Sequence, residues 1–199
     1  MSRLHGYALA IGGVLLSFSY FAQEALGDRV VGPLFTAAVL AHVAGVLAVA
    51  LGLPAWQAIQ ARRTPLLGTT GMLMVFFGLP ILELTGVTIA ATSAELPEVE
   101  DAAMDSMLFW IVVGAMLLAN AGLLVLGVAT LKAGVLPRVA AVLVVAGPLL
   151  TYFSPVGFPY DEAVTLSLGF MGMSWIGLAV ARRGTTVVFP PENHPSLVQ

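Results

Sequence analysis

The chain contains no cysteine, which removes disulfides, thiolate zinc sites, iron–sulfur clusters and cysteine nucleophiles together and leaves the redox compartment open. Charge is almost as scarce. Charged residues make up 10% of the 199 positions, where an ordinary globular domain carries about a quarter, so there is too little charge to coat a water-facing surface. The eight Lys and Arg are outnumbered by eleven Asp and Glu, for a net charge of −3, which excludes the basic footprint of a nucleic-acid-binding protein. The three histidines, His5, His42 and His194, lie far apart, and a histidine-based zinc or haem site within one subunit is not expected. The sequence holds no phosphate loop, no Gly-x-Ser-x-Gly elbow and no dinucleotide fingerprint, and neither a cofactor nor a metal is called for. What it does hold is 59% hydrophobic residues and a mean hydropathy of +0.97. The outside of such a protein meets lipid.

A hydrocarbon core about 30 Å thick needs roughly 20 mostly apolar residues per helix. Six runs of that kind occur, at residues 4–22, 31–53, 66–90, 106–131, 136–153 and 163–181. They are too long and too uniformly apolar for barrel strands, which alternate lipid-facing and lumen-facing residues, so the fold class is an all-α polytopic bundle of six transmembrane helices. Arg3, Arg62, Arg63, Lys132, Arg138, Arg182 and Arg183 fall on one side of these spans, and Arg29 is the lone basic residue on the other. Glu24, Asp28, Glu95, Glu98, Glu100, Asp101, Asp105, Asp161 and Glu162 occupy the opposite connections. By the positive-inside rule both termini are cytoplasmic. Arg3 and the apolar stretch after it imitate a secretory signal, but the run is long for such a signal and lacks a small-x-small cleavage site, which predicts a retained first helix. Residues 1–183 therefore form the membrane domain, and residues 184–199, with Pro190, Pro191 and Pro195, form an aperiodic cytoplasmic tail. The expected location is a cell membrane, the cytoplasmic membrane of a bacterium.

Ionisable groups inside a bilayer are costly, so each is a functional candidate. Glu83 lies in the third expected span, roughly 10 Å below its outer end at about 1.5 Å per residue. A carboxyl group at that depth is a candidate acid or proton carrier, and Pro80, three residues earlier, is expected to kink the helix and help open a cavity. His42 and Asn120 fall near the middle of the second and fourth spans and can share a depth; their contact would orient an imidazole for proton transfer or simply hold two helices together. The small pairs Ala41/Gly45 and Ala115/Ala119 beside them allow close helix approach. Ser17, Tyr20 and Glu24 form one polar stripe toward the outer end of the first span. With Glu83, and with Tyr152 and Tyr160 near the outer end of the fifth span, this stripe predicts an outward-opening pocket with an apolar floor. Trp110 sits near the outer end of the fourth span as pocket lining or interfacial anchor, Trp56 reads as an anchor on the cytoplasmic side, and Trp175 as a deeper packing residue. The acidic connection 95–105 lacks the glycine-turned alternation of a calcium loop and reads as helix capping and topology.

Residues 127–147, GVATLKAGVLPRVAAVLVVAG, carry a short basic Leu-Pro-Arg turn that resembles the turn between spans in many small six-pass actinobacterial membrane proteins of unassigned activity. In size and pass number the chain is also similar to small integral-membrane terpene cyclases, which protonate an olefin or epoxide with buried acids. That resemblance implies a lipid or isoprenoid-like substrate with Glu83 as the acid. Three readings follow from the residues. A pocket protein or acid-catalysed enzyme would use Glu83 as donor, Tyr20 or Glu24 as relay, and His42, Asn120, Tyr152 and Trp110 as lining. A transporter would use Glu83 and His42 as successive proton sites, and an assembly subunit would use them only for packing. The expected partners are membrane lipids and an apolar small molecule, with oligomer formation left open.

Overall fold

The computed structural model describes residues 3–26, 32–93, 107–153 and 161–183, apart from the side chains at 87, 90–93, 152, 153, 161 and 162. These residues form six α-helices: α1 Arg3–Leu26, α2 Pro33–Gln60, α3 Pro65–Ser93, α4 Met107–Ala133, α5 Arg138–Phe153 and α6 Asp161–Arg183. The acidic connection 95–105, Tyr160 and the tail 184–199 lie outside the described residues. Among the described residues, five helices are long and apolar enough to cross a membrane, and α5 is shorter. Its 16 residues reach about 24 Å at 1.5 Å per residue, several ångströms less than a bilayer core. The chain is a multi-pass helical membrane protein.

The helix boundaries follow local rules. Pro33 and Pro65 each open a helix, where the missing N–H is no loss because the first turn has no acceptor for it. Gly134, at φ 62, ends α4 and donates its N–H to Thr130 O at 3.1 Å, the left-handed stop that glycine tolerates best. One expected boundary moves substantially. The second span was expected to end at 53, before Pro54, yet α2 continues through that proline to Gln60. The added turns carry Trp56, Gln57 and Gln60, all buried. Trp56 Nε1–H donates to Thr130 Oγ1 at 2.9 Å, and Thr130 shares its one proton between Gln60 Oε1 and Leu126 O, each at 2.8 Å. Gln60 Nε2 donates to Gln57 Oε1 at 3.1 Å, and Gln57 Nε2 to Thr69 Oγ1 at 3.0 Å. Trp56 is thus a core residue and not an interfacial anchor, while Trp175, expected deeper, is 46% exposed. Arg63 Nη1 donates to Ala133 O at 2.7 Å, so a residue that sets topology also satisfies the carbonyl end of α4.

Apolar residues lie on both sides of the helices: Leu9, Leu16, Val49, Leu126, Phe170 and Met173 are buried in the core, yet large apolar side chains also cover the outside. Leu4, Ile11, Val14, Leu40, Leu47, Leu51, Phe77 and Leu117 are exposed, while Ser19, His42, Gln60, Glu83, Asn120 and Thr130 are buried. With lipid outside, apolar surface gains nothing by turning inward, and helices associate through close backbone packing and interhelical hydrogen bonds.

The six helices close into a ring in chain order, α6 returning to α1, with α2 also touching α4 and α6 across the middle. Four of the six neighbour interfaces bring glycine against backbone. Gly12 faces Val49 N between α1 and α2, Gly71 faces Leu126 N between α3 and α4, Gly6 faces Ala181 between α1 and α6, and Gly147 faces Gly169 between α5 and α6. The two remaining seams differ. Between α2 and α3, Gly68 meets the Gln57 side-chain amide; between α4 and α5, Gly127 meets the Val145 side chain first. The ring therefore consists of a tight α3–α4 hairpin set against a tight row of α5, α6, α1 and α2.

A Cβ placed on Gly78 would sit 2.5 Å from Ala119 N and 2.9 Å from its Cα, whereas one on Gly114 would meet nothing within 4 Å. Backbone cannot step aside as a side-chain tip can. Gly78→Ala is expected to destabilise the protein by about 1–3 kcal/mol through overpacking, and Gly114→Ala to be neutral or stabilising by up to about 1 kcal/mol through helix propensity. Thermal unfolding of both variants in mild detergent tests the pair, and equal melting temperatures would contradict the packing described.

Candidate functional site

Among the described residues, one carboxyl group is deeply buried, and it meets polar side chains from two other helices. Glu83 on α3 is 5% exposed and His42 on α2 is 3% exposed, and His42 Nε2 lies 2.7 Å from Glu83 Oε2. Tyr20 on α1 donates its O–H to the same carboxylate, at 2.9 Å from each oxygen. On the other edge of the imidazole, Ser19 Oγ is 2.6 Å from Nδ1, and Gln23 Nε2 is 3.4 Å from Nδ1 and 3.5 Å from Ser19 Oγ.

At the proton count of a carboxylate and a neutral imidazole, the contacts form one row of donors. The neutral imidazole donates from Nε2 to the carboxylate and accepts at Nδ1 from Ser19 O–H, while the Gln23 amide donates to Ser19 Oγ. The donors run in one direction, from Gln23 through Ser19 and His42 to Glu83, and Tyr20 closes the far end. The cluster satisfies polar groups that would each cost several kcal/mol if left alone in an apolar medium.

Serine, imidazole and carboxylate in a row suggest a hydrolytic triad. The geometry argues otherwise. Ser19 is fully buried and is not among the residues that line the adjoining cavity, so no acyl group can reach its hydroxyl. Ser19 instead helps to orient the imidazole.

A cavity of about 250 Å³ adjoins the cluster. All six helices contribute to it. Tyr20 and Gln23 come from α1, His42 from α2, Glu83 from α3, Asn120 from α4, Thr151 from α5 and Phe170 from α6. Leu79, Leu82, Met116, Leu123 and Leu166 make most of the remaining wall apolar. The Tyr20 ring stacks on Phe170, with centroids 5.8 Å apart and planes at 21°, and tilts against His42 at 5.5 Å. The contributing positions lie near the chain ends of α1 and α5 and near the start of α6. The cavity therefore occupies the half of the bundle next to the acidic connections.

The structure brings together Glu83, His42, Tyr20 and Asn120 of the expected residues. Asn120 lines the same cavity as His42 and bonds back to Met116 O through Nδ2 at 3.0 Å, while the imidazole takes Ser19 and Glu83 as its closest partners. Pro80 lies inside α3 one turn before Glu83. Other positions fall elsewhere. Glu24 is exposed, Trp110 is 71% exposed and does not line the cavity, and the Tyr152 side chain lies outside the described residues. Ser17, Tyr20 and Glu24 do not act as one stripe. Ser17 bonds to Gly13 O at 2.9 Å and faces Ser167 O of α6 at 3.4 Å, because a hydroxyl in a membrane helix finds its own preceding turn first. Ser19 and Gln23 belong to the site and were not expected there. Their signal was an i, i+4 polar pair flanking Tyr20.

Deleting one member of a buried hydrogen-bonded charge pair strands the other, at a cost of about 3–5 kcal/mol, whereas replacing both with apolar groups is often neutral. His42→Leu and Glu83→Leu are each expected to lower stability by that order, and the double variant to lose clearly less than their sum. Unfolding of the four proteins in one detergent completes the cycle, and simple additivity would contradict the contact.

No protein-family model, no curated protein and no solved structure matches this chain.

Proposed function

We propose that this multi-pass membrane protein binds a small, largely apolar ligand of lipid or isoprenoid-like character in the central cavity, held at one end by the Tyr20–Glu83–His42 cluster. The observation that carries this reading is the wall itself, apolar on most sides with its polar groups converging on one edge, which is the usual composition of a small-molecule site. The volume of about 250 Å³ falls just below the ~300–1,000 Å³ of typical ligand pockets. It suits a short apolar molecule or one end of a longer chain better than a whole isoprenoid. With the basic connections on the cytoplasmic side, the cavity lies in the outer half of the membrane.

Acid catalysis of the terpene-cyclase kind would assign proton donation to Glu83, delivered through Tyr20. Glu83 is the one carboxyl group among the described residues lining the cavity, and its oxygens are already engaged by Tyr20 and His42, so binding is favoured over turnover. A transport role is the second reading. It is favoured by one observation, that the His42–Glu83 contact crosses the α2–α3 seam, where no glycine brings backbone against backbone.

Native mass spectrometry with extraction, on wild type and Glu83→Gln purified in mild detergent, tests the ligand reading. The expected result is a specific apolar molecule retained by the wild type and lost by the variant. Two equally stable, equally empty proteins would overturn it and leave a packing or assembly role.

A further inference from the structure

The charge of the cavity narrows the ligand class further, and this step rests on the ligand-pocket reading above. Among the described residues, the titratable groups facing the cavity are Tyr20 from α1, His42 from α2 and Glu83 from α3. The described lining residues of α4, α5 and α6, namely Met116, Ala119, Asn120, Leu123, Thr151, Leu166 and Phe170, contribute none. No Lys or Arg is among the described residues lining it. The basic residues among those described stand at the opposite end, as Arg63 against Ala133 O and Arg182 and Arg183 at the end of α6 show.

The His42–Glu83 pair thus has two proton counts. With one proton beyond the carboxylate and neutral imidazole, the pair is net neutral, whichever atom carries that proton. Without it, the site carries one negative charge beside a mostly apolar wall, and no described side chain lining the cavity balances it. An unbalanced charge at that depth is costly. A cation entering the cavity would remove the imbalance, and the pair would then hold the cation in place of the proton.

The walls select among cations. Beside the oxygens of Tyr20, Gln23, Glu83, Asn120 and Thr151, most of the wall is formed by the side chains of Leu79, Leu82, Met116, Leu123 and Leu166, which a small inorganic ion would leave uncovered. They suit alkyl groups. The stacked Tyr20 and Phe170 rings supply the aromatic faces that attract ammonium groups within about 6 Å of a ring centroid. We infer that the cavity takes a monovalent organic cation with an apolar body, an alkylammonium, in exchange for one proton on the His42–Glu83 pair.

The test uses full-length protein in phosphatidylcholine nanodiscs, with octyltrimethylammonium and uncharged octanol as probes and empty nanodiscs to subtract partitioning. Calorimetry in two buffers of different ionisation enthalpy counts the protons exchanged. The expected result is ammonium binding that strengthens as pH rises, by at most about tenfold per unit for a single linked proton, with close to one proton released per cation where the pair is protonated. Glu83→Gln should weaken ammonium binding by about tenfold or more, since the opposite charge that balances the cation is lost. Octanol bound as tightly as the ammonium and without proton exchange would overturn the cation inference while the pocket reading stands. Neither probe bound would overturn both. Ammonium binding with no proton release at any pH would also overturn the exchange, and because that measurement uses only wild-type protein it holds even if the variant fails to fold.

Discussion

A carboxylate placed in a membrane interior must find its hydrogen-bond partners inside the protein, and most of this architecture is arranged around that demand. Glu83 takes one partner from α1 and one from α2. Those contacts draw α3 toward both helices at the level of the cavity. His42 in turn needs a partner for its second nitrogen, and Ser19 supplies it at 2.6 Å. The chain of demands ends only when every donor has an acceptor, which explains why a membrane protein with so little charge spends several polar side chains at one place.

The helix packing divides the work between two kinds of contact. Glycine against backbone joins α3 to α4 and joins the row α5, α6, α1 and α2. These contacts have short range and no tolerance for added volume. Side-chain hydrogen bonds then join the hairpin to the row at both ends of the bundle. At one end Trp56, Gln57 and Gln60 reach Thr130 and Thr69, and at the other His42 and Tyr20 reach Glu83. The cavity lies where the second set crosses the interior. The groups that would hold a ligand are therefore the same groups that hold the hairpin in register, and occupancy and helix separation draw on the same hydrogen bonds.

Some of the site was legible in the residues. Glu83 and His42 stood out because ionisable groups within long apolar runs are rare, and Tyr20 because it falls one turn before the polar end of its span. Ser19 and Gln23 did not stand out, since a serine in a membrane helix commonly bonds to its own preceding carbonyl, as Ser17 does. Trp56 and its neighbours were misplaced for a different reason. Pro54 looks like a helix end, but a neighbouring helix can support the turn that proline weakens, and the contacts to Thr130 do so from α4.

The length and uniformity of the apolar runs, together with the scarcity of charge, determined by themselves that this is a helical membrane protein, because spanning a bilayer is a local requirement met within each segment. They also determined which few groups could carry chemistry. The tertiary structure alone decided which of those groups meet. Tyr20 and Glu83 are 63 positions apart and His42 and Glu83 are 41 apart, and no periodicity within a span specifies which face of one helix packs against another. Within the hairpin and within the row that choice is made by the glycine surfaces, between them by the side-chain hydrogen bonds, and the cavity is what this geometry leaves between the two.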